Sequence, residues 1–224
     1  MQIKELPTNK GYDLWAAHYE TNGNPMTGLD EIVFQQQFPF KDVKGKTVLD
    51  IGCGTGRLSR QITKAGGKVT GIDISEKMLE QARKKDSNTE YIHFNSNDAF
   101  PFQNKFDFIV SNLVLEHIKD LGFFFKEIAR ISSKTSFIYI SAMHPAMLLK
   151  GTQANFKDPK TGKEFRPKGY PNQIADFVQN MNNSGLLIKK MNEYNGTKEL
   201  VAKFPKAEKY LDWPMLVNFE LRKI

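Results

Sequence analysis

The chain has 224 residues, 40% of them hydrophobic, a mean hydropathy of −0.48 and a formal net charge of +7. That length allows one sizeable α/β core, and the composition excludes a disordered or fibrous chain. No run approaches the ~18 apolar residues of a membrane span, and a single cysteine, Cys53, excludes an intrachain disulfide. The four histidines, at 18, 93, 117 and 144, are scattered without metal-ligand spacing. The lone thiol and the lack of an apolar leader at Met1 predict a cytoplasmic protein without a membrane partner.

In chain order, residues 1–40 read as an N-terminal helical lid. Tyr12, Trp15 and Tyr19 fall at helical spacing on one face. They either dock a helix on the core or close over a ligand. Asn24–Gly28 breaks that helix, and Leu29–Phe38 starts another. From Val43 the pattern alternates: strand Thr47–Ile51, helix Gly56–Ala65, strand Lys68–Ile74 and helix Ser75–Lys85, capped by Ser75. Strands at Tyr91–Asn95, Phe106–Asn112 and Ser136–Ala142 follow, with a helix at Leu121–Ile131 between the last two. Such alternation predicts a parallel sheet covered on both faces. Residues 145–180 interrupt it, and Lys150–Tyr170 has neither helical nor strand period. A helix at Gln173–Met181 and strands at Leu186–Tyr194 and Pro214–Lys223 end the chain. A single domain, 1–224, is expected, with no internal repeat.

Chemistry concentrates in Val48–Ser59, which reads Val-Leu-Asp-Ile-Gly-Cys-Gly-Thr-Gly-Arg-Leu-Ser. A strand ends on the acid Asp50. Gly52, Gly54 and Gly56 then let the backbone approach a ligand, and the next helix offers unpaired N–H groups. Asp73 ends the second strand 17 residues after Gly56. An acid there is placed to accept from both hydroxyls of a ribose. An acid ahead of the glycines suits a ligand with a positive charge better than a pyrophosphate.

These residues resemble motif I of the class I S-adenosylmethionine (SAM) dependent methyltransferases. Gly71–Ser75, Asn97–Phe102 and Phe106–Ile118 match further motifs in the same order. The layout is similar to quinone-biosynthesis and malonyl-carrier-protein methyltransferases. The resemblance implies a Rossmann-like, seven-stranded, mostly parallel sheet with helices on both faces and an antiparallel C-terminal hairpin. It implies SAM as cofactor and S-adenosyl-L-homocysteine (SAH) as product. Carried over by motif position, it puts Asp50 near the methionine amino group and Gly52, Cys53, Gly54 and Gly56 along the methionine and ribose. Asp73 would take the ribose hydroxyls, and Ile74 and Met78 would cover adenine. Asn97, Asp98 and Ala99 would meet the adenine edge, and Asn112 and Leu113 the reacting end. Tyr19 closes over the cofactor, while Tyr12, Trp15 and Tyr170 belong to the lid and substrate side. Residues 145–180 become a substrate-covering insertion. His144, at the end of the fifth strand, and His117, after Glu116, are the candidates for catalysis.

Departures from the family pattern narrow the acceptor. Ser132–Thr135 replaces the frequent Lys-Pro-Gly-Gly turn, remote from the cofactor. No Asn/Asp-Pro-Pro-Tyr follows the fourth strand, which disfavours adenine, cytosine and glutamine-amide nitrogens. Residues 1–144 hold 18 Lys/Arg against 17 Asp/Glu, whereas residues 145–224 hold 14 against 8. That field favours an anionic partner. The leading expectation is methyl transfer to a small-molecule, anion-bearing acceptor. An RNA or protein methyltransferase docking through the basic last third is the alternative, and a non-catalytic SAM-binding protein the third. Nucleic acid is disfavoured because the basic residues are 26 lysines to six arginines, with no stacking pattern.

Overall fold

The computed structural model describes residues 3–21, 23–159 and 161–224. In chain order it holds β1 (Lys4–Leu6), α1 (Thr8–Trp15), α2 (Pro25–Gln37), β2 (Thr47–Ile51), α3 (Ser59–Lys64), β3 (Lys68–Asp73), α4 (Glu76–Lys85) and β4 (Glu90–His93). Next come β5 (Phe106–Asn112), α5 (Leu121–Ile131), β6 (Ser132–Met143), α6 (Ala146–Leu149), β7 (Phe156–Lys157) and β8 (Glu164–Pro167). Last are α7 (Ile174–Asn183), β9 (Leu186–Asn195), α8 (Lys198–Lys203) and β10 (Pro214–Lys223). Short 3-10 turns lie at Ala16–His18, Phe40–Asp42, Leu115–His117 and Pro205–Tyr210.

The main sheet has seven strands in the order β4-β3-β2-β5-β6-β10-β9. β2 through β6 pair in parallel, and β10 runs antiparallel to both β6 and β9. The expected Rossmann-like sheet with its antiparallel hairpin is thus the observed one. Successive residues of a strand face opposite sides, and the core splits accordingly. Leu49, Ile51, Ile109, Ile138 and Ile140 pack under α5 and α7. Val48, Phe108, Val110, Phe137 and Tyr139 pack on the other face against Phe34 and Phe38 of the α2 region and Ile62 of α3. With helices on both faces, the ends of β2, β3 and β5 are left as the free rim for a ligand.

Several boundaries differ from expectation for local reasons. α3 starts at Ser59, not Gly56, because Gly54 and Gly56 take positive φ (56° and 73°) that a right-handed helix excludes. α2 starts at Pro25: Asn24 Oδ1 accepts from the Met26 N–H, and proline suits the first helical position. The Asn24–Gly28 stretch therefore ends one helix and opens the next. β6 reaches back to Ser132 through a bulge against β5.

The largest difference concerns the insertion. Lys150–Tyr170, which lacks strand period, carries β7 and β8. Together with β1 they form a second sheet, ordered β1-β8-β7. β1 pairs in parallel with β8, Glu5 opposite Arg166, so this segment is bound to residues 161 positions away. α1 packs on β8, where Gly11 lies against Pro167.

Candidate functional site

A cleft of about 630 Å³, open to solvent, lies at the rim formed by the ends of β2, β3 and β5. Its floor is the loop after β2. Gly54 has φ +56°, and a Cβ built there would meet only open space; the backbone edge itself faces the cleft. Gly52 has φ +73° and its missing Cβ leaves room for Val114.

Asp73 ends β3 and braces this loop. Its Oδ2 accepts from the Gly54 N–H (2.8 Å) and its Oδ1 from the Ser75 N–H (2.8 Å). Burial pushes its carboxyl up to about 6, against the pull of those two N–H donors. Each oxygen retains a further lone-pair site that can accept from a ligand hydroxyl. Ile74 and Met78 line the same wall, with Met78 also packed under Trp15. Across the cleft stands Asn112, whose Nδ2 donates to Asp30 Oδ1 (2.8 Å) while its Oδ1 has no partner. An enclosed acceptor without a donor suits an ammonium group. Leu113 follows in the left-handed region (φ 57°), uncommon for leucine, with its N–H held by Ser141 O. The open face at Gly54, the paired ribose-type acceptors of Asp73 and the orphan oxygen of Asn112 together fit the SAM that the resemblance implies.

Other expected residues take different places. Asp50 is buried beneath the loop, not on the cleft; its Oδ2 accepts from Ser59 Oγ (2.5 Å), and burial pushes it up to about 6. Cys53 is also buried below the loop, its thiol pushed up by burial. Gly56 backs onto Tyr91. Asp98 and Ala99 are exposed and do not line the cleft; Asn95, Ser96 and Asn97 do. The turn there is short, with the Asp98 N–H closing onto Asn95 O, so the wall residues sit two to three positions earlier.

The two histidines separate. His144 is buried at the end of β6 but lines neither cleft nor cavity. Its Nδ1 accepts from the Ala146 N–H (3.0 Å), so Nε2 carries the proton and donates to Glu193 of β9 (2.6 Å). Both ring atoms are spent on fastening a strand end, which corrects its assignment as a catalytic base. His117 does line the cleft. Its Nδ1–H donates to Lys168 O (2.7 Å), so Nε2 accepts from the Tyr12 hydroxyl (2.8 Å). Burial lowers it to about 4, which keeps the ring neutral. It joins the lid to the insertion, and Tyr12 occupies the atom that a base would use.

Tyr12, Trp15 and Tyr19 pack together: Tyr12 stacks on Trp15 (5.8 Å), and Tyr19 meets Trp15 edge-on (5.1 Å). Trp15 also stacks on Phe156 of β7 (5.1 Å). Tyr12 and Tyr19 face the cleft on one side and, on the other, a larger hollow of about 1270 Å³ that is open to solvent. Leu113 also lines both spaces. The hollow is walled by Met26, Met143, Met147 and Met215, with Lys157, Lys206 and Lys209 among its lining. Tyr170 lies beyond it, under Lys168, with its N–H on Glu116 O (2.8 Å).

Three residues beside the site escaped the reading of the sequence. Asp30 of α2 is fully buried and accepts from Asn112, from Ser141 Oγ (2.6 Å) and from Arg57 (2.8 Å). It ties α2 to β5, β6 and the glycine loop. Arg57 stands inside the motif, but nothing local marks it as the partner of Asp30. Glu116 lines the large hollow, and burial pushes its carboxyl up to about 7. Its adjacency to His117 was visible; its exposure to the hollow was not.

Comparison with known proteins agrees with this geometry. The family description "Methyltransferase domain" matches residues 49–140. An uncharacterized methyltransferase of Emericella nidulans is 25% identical over 88% of this chain and 82% of its own. A ubiquinone biosynthesis O-methyltransferase of Pelagibacter ubique is 33% identical over 49% of this chain and 45% of its own. The chain thus matches under half the length of that curated quinone enzyme. Among solved structures, a SAM-dependent methyltransferase of Mesorhizobium loti superposes with a TM-score of 0.72 at 23% identity, covering 88% of this chain and all of that one.

Proposed function

The chain belongs to the class I SAM-dependent methyltransferases, and from that premise we propose that it methylates a small, apolar-bodied acceptor carrying an anionic group. The observation that carries this reading is that Tyr12, Tyr19 and Leu113 line both the cleft that suits the cofactor and the hollow with its methionines and lysines. When bound, SAM supplies a methyl group on a sulfonium centre.

In this reading Asp73 accepts from the ribose hydroxyls, and Asn97, with Asn95 and Ser96, borders the adenine. Asn112 accepts from the amino group. Asp50 and Cys53 act from beneath, holding the loop's shape, and Gly54 presents its edge. The lid of Tyr12, Trp15 and Tyr19 excludes water and fixes the alignment of donor and acceptor, which is the protein's main task in such a displacement. Methionines shape themselves to varied apolar ligands, and the lysines Lys157 and Lys209 supply the anion's counter-charge. Similarity to ubiquinone and demethylmenaquinone methyltransferases supports a small-molecule acceptor.

The test is transfer of label from methyl-labelled SAM into a lysate separated into small-molecule, RNA and protein fractions. Label in the small-molecule fraction is the expected result. Label in RNA or protein would replace the acceptor assigned here, and no label with SAH binding intact would point to binding without turnover.

A further inference from the structure

Glu116 sits in the 3-10 turn Leu115–His117, directly after the end of β5. Its side chain borders two spaces: the methionine-walled hollow and a smaller one of about 430 Å³ lined by Pro145, Tyr170 and Phe177. Its Oε2 is enclosed and has no hydrogen-bond partner. The turn itself is rigidly held. Tyr170 N–H donates to Glu116 O, and Asn172 Nδ2 donates to Leu115 O (3.2 Å) and Ile118 O (3.4 Å). An unpartnered enclosed carboxylate oxygen is unfavourable for folding and is rarely kept without use. It stands three residues beyond Leu113, which lines both cleft and hollow.

We propose that Glu116 accepts the proton of the acceptor's hydroxyl as the methyl group is transferred. This rests on the function proposed above and adds a catalytic residue to it. The acceptor oxygen keeps the O–H electron pair and uses it to bond the methyl carbon. The C–S pair leaves with the thioether, and the proton passes to the Glu116 carboxylate, so one sulfonium and one carboxylate charge vanish together.

The surroundings suit the role. Burial, with Asp30 adding to it, pushes the carboxyl up to about 7, where a proton acceptor is most effective near neutral pH. The other titratable groups nearby do not compete. His117 is neutral and taken by Tyr12. The Tyr12 and Tyr19 hydroxyls are pushed up by burial, Tyr19 to about 12. Lys157, Lys206 and Lys209 line the hollow, and Lys168 lies over Tyr170.

A chromophoric hydroxyl reads this directly, without turnover. 4-Nitrophenol, whose absorbance reports its ionisation, is titrated with pH while bound to the wild-type protein loaded with SAH, and to Glu116→Gln. A carboxylate facing the hydroxyl opposes phenolate formation. The bound probe should therefore ionise at a pH at least one unit higher, a tenfold shift, in the wild type than in Glu116→Gln. Equal ionisation in the two proteins, or failure of the wild type to bind the probe, would overturn the proposal. Calorimetric SAH binding, unchanged in Glu116→Gln, shows that the variant is folded; a wild type that did not bind SAH would instead overturn the function proposed above.

Discussion

The two halves of the site are built on opposite plans. On the cofactor side, the cleft's carboxylate is already engaged: Asp73 holds two backbone N–H groups before any ligand arrives. On the acceptor side, Glu116 Oε2 is left without a partner and the walls are methionine. One half is preorganised for a single invariant ligand. The other is adaptable and keeps an unsatisfied group in reserve. Preorganisation is favourable where the ligand never changes; reserve capacity is what a proton-moving group requires.

Variants can break or sharpen this contrast. Asp30→Ala should have the largest effect, because it takes from Arg57 the nearer of its two acid partners and frees Asn112 and Ser141 at once. A loss of about 3–5 kcal/mol in stability is expected by thermal or denaturant unfolding. A change below about 1 kcal/mol would show that the cofactor half does not depend on this tie. Asp73→Ala should leave the fold in place but weaken SAH binding by roughly 2 kcal/mol or more, measured by calorimetry; unchanged affinity would remove Asp73 from the ribose. Because Asp73 is pushed up to about 6, SAH affinity in the wild type should also decline as pH falls below about 6, and Asp73→Ala should lose that dependence.

Glu116→Gln should do the reverse of a typical core variant. Glu116 titrates near 7 in the folded chain and near 4.5 when unfolded. The folded state therefore holds its proton more tightly, and the associated stability is full below about 4.5 and lost as pH rises through 7. The variant should then be more stable than wild type by about 1–3 kcal/mol at pH 8, with the gain fading toward pH 4.5. Stabilisation together with loss of methyl transfer would mark a functional sacrifice. The smallest effect belongs to the rim: Lys209→Glu should weaken an anionic ligand of the hollow, such as 4-nitrophenolate, by up to ~1 kcal/mol and leave SAH binding unchanged. Equal weakening of both ligands would mean that the two halves are not separate.

The same contrast explains what was legible beforehand. Asp50, the glycines and Asp73 lie at or after consecutive strand ends, and one short segment carries both the turn geometry and the cleft-lining Gly52 and Gly54. The parallel sheet followed from the alternation of short apolar strands and amphipathic helices, and the hairpin from the family resemblance. The acceptor half is assembled from α2, the turn after β5, the insertion and Pro205–Tyr210, which share no local pattern. Asp30 looks like any acid in an amphipathic helix until α2 is laid against β5 and β6. β7 and β8 are two and four residues long, too short to show alternation, and exist because β1 pairs with β8 and β8 with β7. His144 misled for a related reason: its position at the end of β6 is right for a site residue, but its partner Glu193 comes from β9, which only the hairpin register brings alongside.

The placement of β10 sets the order in which the molecule can be completed. Its ten residues lie between β6 and β9 and pair with both. A ribosome reaches them after the other six strands of that sheet. Until they emerge, β6 presents an open edge that could pair with any extended neighbour, while the strands of the cofactor half are already made. The nascent chain thus passes through a stage with its nucleotide rim assembled, its acceptor hollow unbuilt and the edge of β6 exposed, closed only when β10 is made.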